Sequence, residues 1–200
     1  NPAYLAVRDR DMNPMFIETH RLAEWNPRGA DVSVIHDLMI HDLDIILKNL
    51  RSGIKRVAAN GVAVITGSPD IANARVEFHN GCVANLTASR ISLKQMRKMR
   101  IFREGSYWTL DFLDKRAEVF DISDTEPAGG AMATFELQNQ KKYLTPYLPS
   151  IIENNAIEDE LAAFAEAIHN GTEPPVTLYD GYHVLAVAQD ILDKIQPVKA

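Results

Sequence analysis

The stretch "NARVEFHNGCVANLTAS" (73–89) decides the fold, because it encodes two β-strands joined by a tight turn. Ala74, Val76 and Phe78 alternate with charged residues, which is the period of a strand that buries one face. The Asn-Gly pair at 80–81 suits a two-residue hairpin turn, since both positions require positive φ. The stretch therefore predicts an antiparallel hairpin within a half-buried sheet.

The same alternation extends along most of the central chain, and helical periodicity flanks it. Strand-like segments lie at 14–25, 54–64, 99–104, 106–113 and 117–123. Helical segments lie at 1–11, 34–50, 155–171 and 177–195, and we predict a loop at 124–133. This order predicts an α+β fold with one large, mostly antiparallel open sheet and helices on one face.

Composition and charge restrict the class of protein. The chain has 200 residues and is 46% hydrophobic, which suits a single globular domain over residues 1–200. A net charge of −6 argues against general nucleic-acid binding. No apolar run reaches the roughly 20 residues that span a membrane. The single cysteine, Cys82, excludes an intramolecular disulfide and suits a reducing compartment, so we expect a cytoplasmic protein.

One short segment departs from the acidic balance. The run "KQMRKMRIFR" (94–103) holds five Lys or Arg residues. On a strand or loop, such a run is more often a solvated face than a phosphate-binding patch. We therefore predict a solvated face here.

The helix predicted at 34–50 carries a polar stripe within an aliphatic run. At 100° per residue, four side chains fall within about 60° of one another: Asp37, His41, Asp44 and Lys48. Apolar residues flank this stripe on both sides, so it is predicted to line a cleft. An imidazole one turn from a carboxylate suits general acid–base chemistry. The alternative is that these residues only contact one another within the helix.

Three other functions compete for this part of the chain. The His-Asp pairs at 36–37 and 41–42 resemble the ligands of metal-dependent HD-type hydrolases, but those ligands come from separate helices and no second histidine cluster is present. Nucleophilic hydrolysis is weaker still, since Cys82 lies beside the hairpin turn and no G-x-S-x-G occurs. A non-catalytic assembly or ligand-binding module is the third, because an open sheet needs its second face covered.

The octet "DLMIHDLD" (37–44) resembles the D-x-x-x-H-x-x-D helix of the Gfo/Idh/MocA-type oxidoreductases, the glucose–fructose oxidoreductase and inositol dehydrogenase superfamily. The opening residues 1–7 are similar to the helix that follows the family's first domain. Residues 70–92 resemble the central hairpin of the family, and residues 157–192 resemble its closing helices. The resemblance therefore covers nearly the whole chain.

This resemblance implies a two-domain enzyme of which the chain is only one part. It is similar to the family's C-terminal domain, a dihydrodipicolinate-reductase-like α+β domain with an open sheet. The family's N-terminal Rossmann domain binds NAD or NADP, and its G-x-G-x-x-G and E-K-P motifs are both absent here. We therefore expect that domain to have been removed before Asn1, and the isolated chain to be inactive.

The resemblance also implies roles for individual residues. His41 would act as acid or base on the substrate hydroxyl, and Asp37 would orient His41 or bind substrate. Asp44 would support the site or contact the substrate. Arg21 and Arg90 are candidate substrate contacts, with ordinary surface arginines as the alternative.

Substrate and assembly follow from the same resemblance. The implied reaction transfers hydride between NAD or NADP and a secondary alcohol of a sugar, nucleotide sugar or cyclitol. Met39 stands where many members carry Gly, and this resembles the branch that acts on nucleotide sugars. Family members commonly form homo-oligomers through the open sheet face. Candidate interface residues are Val83, Leu93, Ile101 and Phe112, with ordinary core positions as the alternative.

Overall fold

The computed structural model describes residues 1–137 and 140–195, and its centre is one mixed sheet. The described part of the chain contributes nine strands: β1 (Phe16–Leu22), β2 (Ile54–Val62), β3 (Ile71–Phe78), β4 (Val83–Ser89), β5 (Met96–Arg103), β6 (Ser106–Asp111), β7 (Arg116–Ser123), β8 (Ala133–Leu137) and β9 (Gln140–Tyr147). They lie in the order β2-β3-β4-β1-β5-β6-β7-β9-β8. Only the β1–β4 pair is parallel. The predicted α+β fold with an open, mostly antiparallel sheet is confirmed.

Short caps fix where the helices begin. The helices are α1 (Pro2–Leu5), a π-helical turn π1 (Ile35–Met39), α2 (Ile40–Asn49), α3 (Ala156–Asn170) and α4 (Leu178–Lys194). Thr177 and Asp180 form a reciprocal capping box at the start of α4, as the sequence predicts. Within the described ranges, none of these helices has both the length and the apolar character that crossing a bilayer requires.

The hydrophobic core lies between one face of the sheet and the helices α2 and α4. Alternate residues of each strand point into it, so Ala84, Leu86 and Ala88 of β4 are all fully buried. The largest fully buried side chains are Trp108, Phe78, Ile35, Met39, Leu43 and Ile46. Burying side chains of this size contributes about 1.5–3 kcal/mol each. The predicted hairpin forms, but its turn is not the two-residue turn that the sequence predicts: Gly81 has positive φ, at +88°, whereas Asn80 does not. The Gly81 N–H bonds the Phe78 carbonyl at 3.0 Å, and the Phe78 N–H bonds the Cys82 carbonyl at 2.9 Å.

The opposite face of the sheet carries a row of aromatic side chains. Phe16, Phe102, Tyr107 and Phe120 occupy directly paired positions on β1, β5, β6 and β7. Successive ring centroids are 6.0, 6.1 and 4.7 Å apart. We call these four residues the aromatic row. The four rings remain partly exposed, because no helix of the described residues covers this face of the sheet.

Three expectations need correction. The sheet continues through β9 and the edge strand β8, which the sequence did not suggest because β9 mixes Gln, Lys, Thr and Pro without apolar alternation and β8 has only five residues. The predicted helix 34–50 begins with a π-helical turn instead of α-helix. Of the residues proposed for the sheet interface, Ile101 and Phe112 are buried in the core, whereas Leu93 is 98% exposed in a loop.

Helix α3 forms as predicted but leaves its apolar face open. Ile157, Leu161, Phe164 and Ile168 are between 55% and 71% exposed, although they share one side of the helix. Asn155 caps its N-terminus and Gly171 ends it in the left-handed conformation. The helix is therefore specified locally, without burial by the described residues.

A buried carboxylate closes the turn between β2 and β3. Asp70 accepts hydrogen bonds from the backbone N–H groups of Val64, Ile65 and Thr66 at 2.8, 2.7 and 3.0 Å. Burial alone would raise the pKa of Asp70, but these bonds and one from the Thr66 hydroxyl lower it to about 2. Arg90 lies 3.9 Å from the same carboxylate. Asp70 thus holds this turn only while ionised.

We expect Asp70→Ala to lower the free energy of unfolding by about 3 kcal/mol, because several buried donors lose their acceptor. Because the folded pKa lies below the unfolded value of 3.8, the stabilisation by Asp70 is present above that pH and is lost as pH falls towards 2. Urea unfolding between pH 2 and 7 measures both effects. The exposed Asp9→Ala is the matched control. An unfolding free energy of the Asp70 variant within 0.5 kcal/mol of wild type, about the scatter of ordinary surface substitutions, would contradict this account.

Candidate functional site

A buried ion pair joins the sheet to α2 at the end of β1. The Arg21 side chain donates from Nε to Asp42 Oδ2 at 3.1 Å and from Nη2 to Asp42 Oδ1 at 2.6 Å. The two side chains are only 9% and 3% exposed. A two-point bond of this kind fixes direction as well as distance. The preceding residue, His41, is therefore held at this end of the sheet.

The turn before His41 is wound more widely than an α-helix. The Ile40 N–H bonds the carbonyl of Ile35, five residues earlier, which defines π1. Such turns occur frequently at functional sites. Because this turn ends at Met39, it changes the angle between Asp37 and His41 from that of a regular helix, whereas His41, Asp44 and Lys48 all lie on α2.

The residues of the polar stripe differ in their surroundings. Asp37 and His41 are exposed at the end of the sheet. Asp44 and Lys48 line a small cleft against α4, together with Asp180. Burial raises the pKa of Asp44, and Lys48 opposes this shift. Among the described residues no hydrogen bond joins His41 to Asp37, so the orienting role of Asp37 stays a prediction, and Asp44 lies against α4.

His41 is tuned towards its neutral form. The protein atoms packed around the ring lower its pKa, and the nearby Arg21 lowers it further. Asp42 raises the pKa, Arg97 lowers it, and Asp37 raises it. Since the shift is downward from 6.5, the imidazole is neutral near pH 7 and can accept a proton.

Arg90 binds the loop that lies next to Asp37. Its guanidinium donates to the carbonyl of Gly29 at 3.2 Å and to the carbonyl of Val32. Gly29 has a φ of +82°, and a Cβ added to it would lie 3.9 Å from Asp37 Oδ1, so the Asp37 carboxylate faces this glycine. Arg90 is buried and so is not a surface arginine. A direct contact of Arg90 or Arg21 with substrate stays a prediction.

One residue of the site was missed by the sequence analysis. Arg97 of β5 pairs directly with Arg21 of β1 and belongs to the same helix-facing set as Met99 and Ile101. It lies close enough to His41 to lower its pKa. The only sequence signal was its place in a basic run that we interpreted as a solvated face.

The part of the chain that the structure describes has no metal-binding cluster, activated thiol or dinucleotide-binding turn. No cluster of three or more His, Cys, Asp or Glu residues in the described ranges could hold a metal ion. Burial raises the pKa of the Cys82 thiol to about 11, so it is not an activated nucleophile. Among residues 1–137 and 140–195, no glycine-rich turn joins a strand to a helix, so these residues do not fit the phosphates of a dinucleotide.

Comparison with known proteins agrees with this geometry. Residues 7–107 match the family model of the GFO/IDH/MocA C-terminal domain. UDP-N-acetylglucosamine 3-dehydrogenase of Acidithiobacillus ferrooxidans is 43% identical over 107 residues, which are 54% of this chain and 34% of that protein. A solved structure of that organism's enzyme, GnnA, has a TM-score of 0.83 at 31% identity, covering 97% of this chain and 58% of the other.

More distant structures share the fold alone. An oxidoreductase domain protein from Kribbella flavida has a TM-score of 0.75 at 15% identity, covering 96% of this chain and 59% of that one. The chain thus spans only part of the relatives it matches, between 34% and 59% of their lengths.

We expect His41 to titrate below 6.5 in this chain, and Arg97→Gln to raise its pKa, because a cation that disfavours the imidazolium is removed. Histidine NMR signals followed from pH 4 to 8 measure this. Lys55→Gln, on β2, removes an exposed cation elsewhere and should leave the titration unchanged. A His41 pKa above 6.5, or an equal response to both variants, would contradict the described site.

Proposed function

The chain belongs to the family of GFO/IDH/MocA C-terminal domains, and on that premise we propose that it is the substrate-binding half of an NAD(P)-dependent dehydrogenase. The proposed reaction oxidises a secondary alcohol of a sugar, with a nucleotide sugar as the favoured class. The observation that carries the proposal is His41, neutral near pH 7 and exposed beside Asp37, on a helix that a buried ion pair fixes to the sheet.

In the proposed mechanism, His41 moves the proton. Its neutral imidazole accepts the proton of the substrate hydroxyl while the carbon loses a hydrogen with its electron pair, so that a ketone forms. The Asp37 carboxylate favours the imidazolium that results, since it raises the pKa of His41. The bound nicotinamide supplies the hydride acceptor. Arg21 acts through Asp42 by holding α2, and is a positioning residue.

The cofactor is proposed to be bound by another domain. The described residues do not fit a dinucleotide. The matching family model describes a C-terminal domain, and this chain covers only 58% of the GnnA chain, so that enzyme contains further residues. Asn1 Nδ2 donates to the Phe112 carbonyl at 3.1 Å, and the Phe112 N–H bonds the Arg97 carbonyl. A dinucleotide-binding domain joined at Asn1 would therefore enter at the end of the sheet that holds His41.

The proposed substrate class rests on one residue and one relative. Met39, the residue that suggests the nucleotide-sugar branch, is the last residue of π1 and is buried in the core. The relative that is 43% identical over 107 residues is named for a UDP-sugar. We therefore propose a nucleotide sugar ahead of a free sugar or cyclitol.

In a protein that joins this chain to its dinucleotide-binding domain, His41→Asn should lower kcat by about 10²–10⁴-fold, the usual contribution of general acid–base catalysis. Asp37→Asn should give a smaller loss. Steady-state NADH formation with UDP-N-acetylglucosamine measures both, and His169→Asn on α3 is the matched control. The 200-residue chain alone should show no turnover. Turnover by that chain, or full activity of the His41 variant, would overturn the proposal.

Assembly is a second proposed role, favoured by the aromatic row. Four half-buried rings lie across β1, β5, β6 and β7 on the face that no described helix covers. Paired aromatic rings contribute stability across strands and are common at interfaces. We propose that this face joins copies of the chain into a homo-oligomer.

Tyr107→Lys should weaken self-association at least tenfold, because a charge would be placed within the apolar contact. Sedimentation equilibrium measures the change. Tyr182→Lys alters an exposed tyrosine on α4 and should have no effect. If the Tyr107 variant keeps its fold by circular dichroism and associates like wild type, the proposed interface is wrong.

A further inference from the structure

The basic run at 94–103 separates into residues with and without acceptors. Lys98 contacts Asp111 at 3.2 Å, Arg100 bonds Glu18, and Arg103 donates to the Asp11 carbonyl. These three cations are neutralised or satisfied within the fold. The solvated-face interpretation therefore does not describe the run as a whole.

Arg97 is the exception on β5. Among the described residues, its guanidinium has no hydrogen bond and no ion pair. Its strand neighbour Arg21 gives both of its bonds to Asp42, so that charge is cancelled within the core. Among the described residues of this run, the positive charges without a partner are those of Arg97 on β5 and Lys94 in the loop before it.

The position of Arg97 relates it to the reaction centre. It is paired with Arg21 across β1 and β5, and Arg21 bonds the residue next to His41. Its side chain is exposed, so a ligand in contact with His41 can reach it. Because Asp42 already neutralises Arg21, an anion at this place would be attracted by the charge of Arg97.

The geometry of the guanidinium group determines which anions it binds well. A guanidinium presents parallel N–H donors that match two phosphate oxygens, and these charge-assisted bonds are among the strongest in proteins. A neutral sugar gains little from such a group. An uncompensated arginine beside a proton-accepting histidine therefore fits a substrate that carries phosphate near its reacting sugar ring.

We propose that Arg97 binds the diphosphate of a nucleoside diphosphate sugar and so places the sugar hydroxyl at His41. The inference rests on the proposed dehydrogenase function and adds to it the group that recognises the substrate. Arg97 is then a binding residue that determines specificity, and Arg21 stays in its positioning role.

The test uses uridine diphosphate as the probe on the 200-residue chain, followed by NMR at the Arg97 Nε–H and the His41 ring. We expect saturable shifts at both groups and a rise in the His41 pKa when the anion is bound. Arg97→Met should weaken binding at least tenfold. Arg100→Met, which removes an arginine from the opposite face, should not. Uridine should give no saturable shift.

Three outcomes would overturn the inference. These are no saturable binding of uridine diphosphate, equal losses in both arginine variants, and equal shifts with inorganic phosphate at the same concentration. Failure of the dehydrogenase proposal is distinguishable. If Arg97-dependent binding occurs but the longer protein oxidises no sugar, the anion subsite stands and the enzymatic proposal falls. If the longer protein with Arg97→Met turns over normally, the enzymatic proposal stands and the anion subsite falls.

Discussion

The ion pair between Arg21 and Asp42 is the interaction on which the site depends. Removing two charges from water is costly, and the pair is tolerated because two direct hydrogen bonds satisfy both groups. Loss of either partner would leave the other charged and buried, which costs about 3–5 kcal/mol in comparable cases. The pair joins a central strand to the helix of His41, so the packing that stabilises the domain also sets the direction of the imidazole.

The same pair explains why neighbouring charges have different roles. Asp42 and Arg21 cancel each other in the core, while Asp37 and Arg97 stay exposed on either side of His41. The acid favours the protonated ring and the arginine disfavours it. The net effect of burial and these charges lowers the pKa of His41, so the ring is neutral near pH 7.

Much of the fold was predictable because it is encoded locally. The hairpin needed a turn with positive φ, and Gly81 provides it; α4 needed a cap, and Thr177 provides it. Other features depend on partners distant in sequence. A π-helical turn has no residue signature, and the partner of Arg21 lies on another element. His41 and Asp37 could be proposed from the sequence because a polar stripe within an apolar run is itself a signal. Arg97 could not, because it lies in a run of several cations and nothing in the sequence distinguishes it from them.

The place of β1 in the sheet has a consequence for how the domain folds. Strands β2 to β4 and β5 to β7 are two meanders of near neighbours, but they meet only through β1, which lies between β4 and β5. The pairing of Phe16 with Val83 is parallel and joins residues separated by π1, α2, β2 and β3, and non-local contacts of this kind slow folding. Because β1 also carries Arg21, its insertion completes the sheet and the histidine site in the same step. Partly folded chains would then contain two separate half-sheets and no oriented His41.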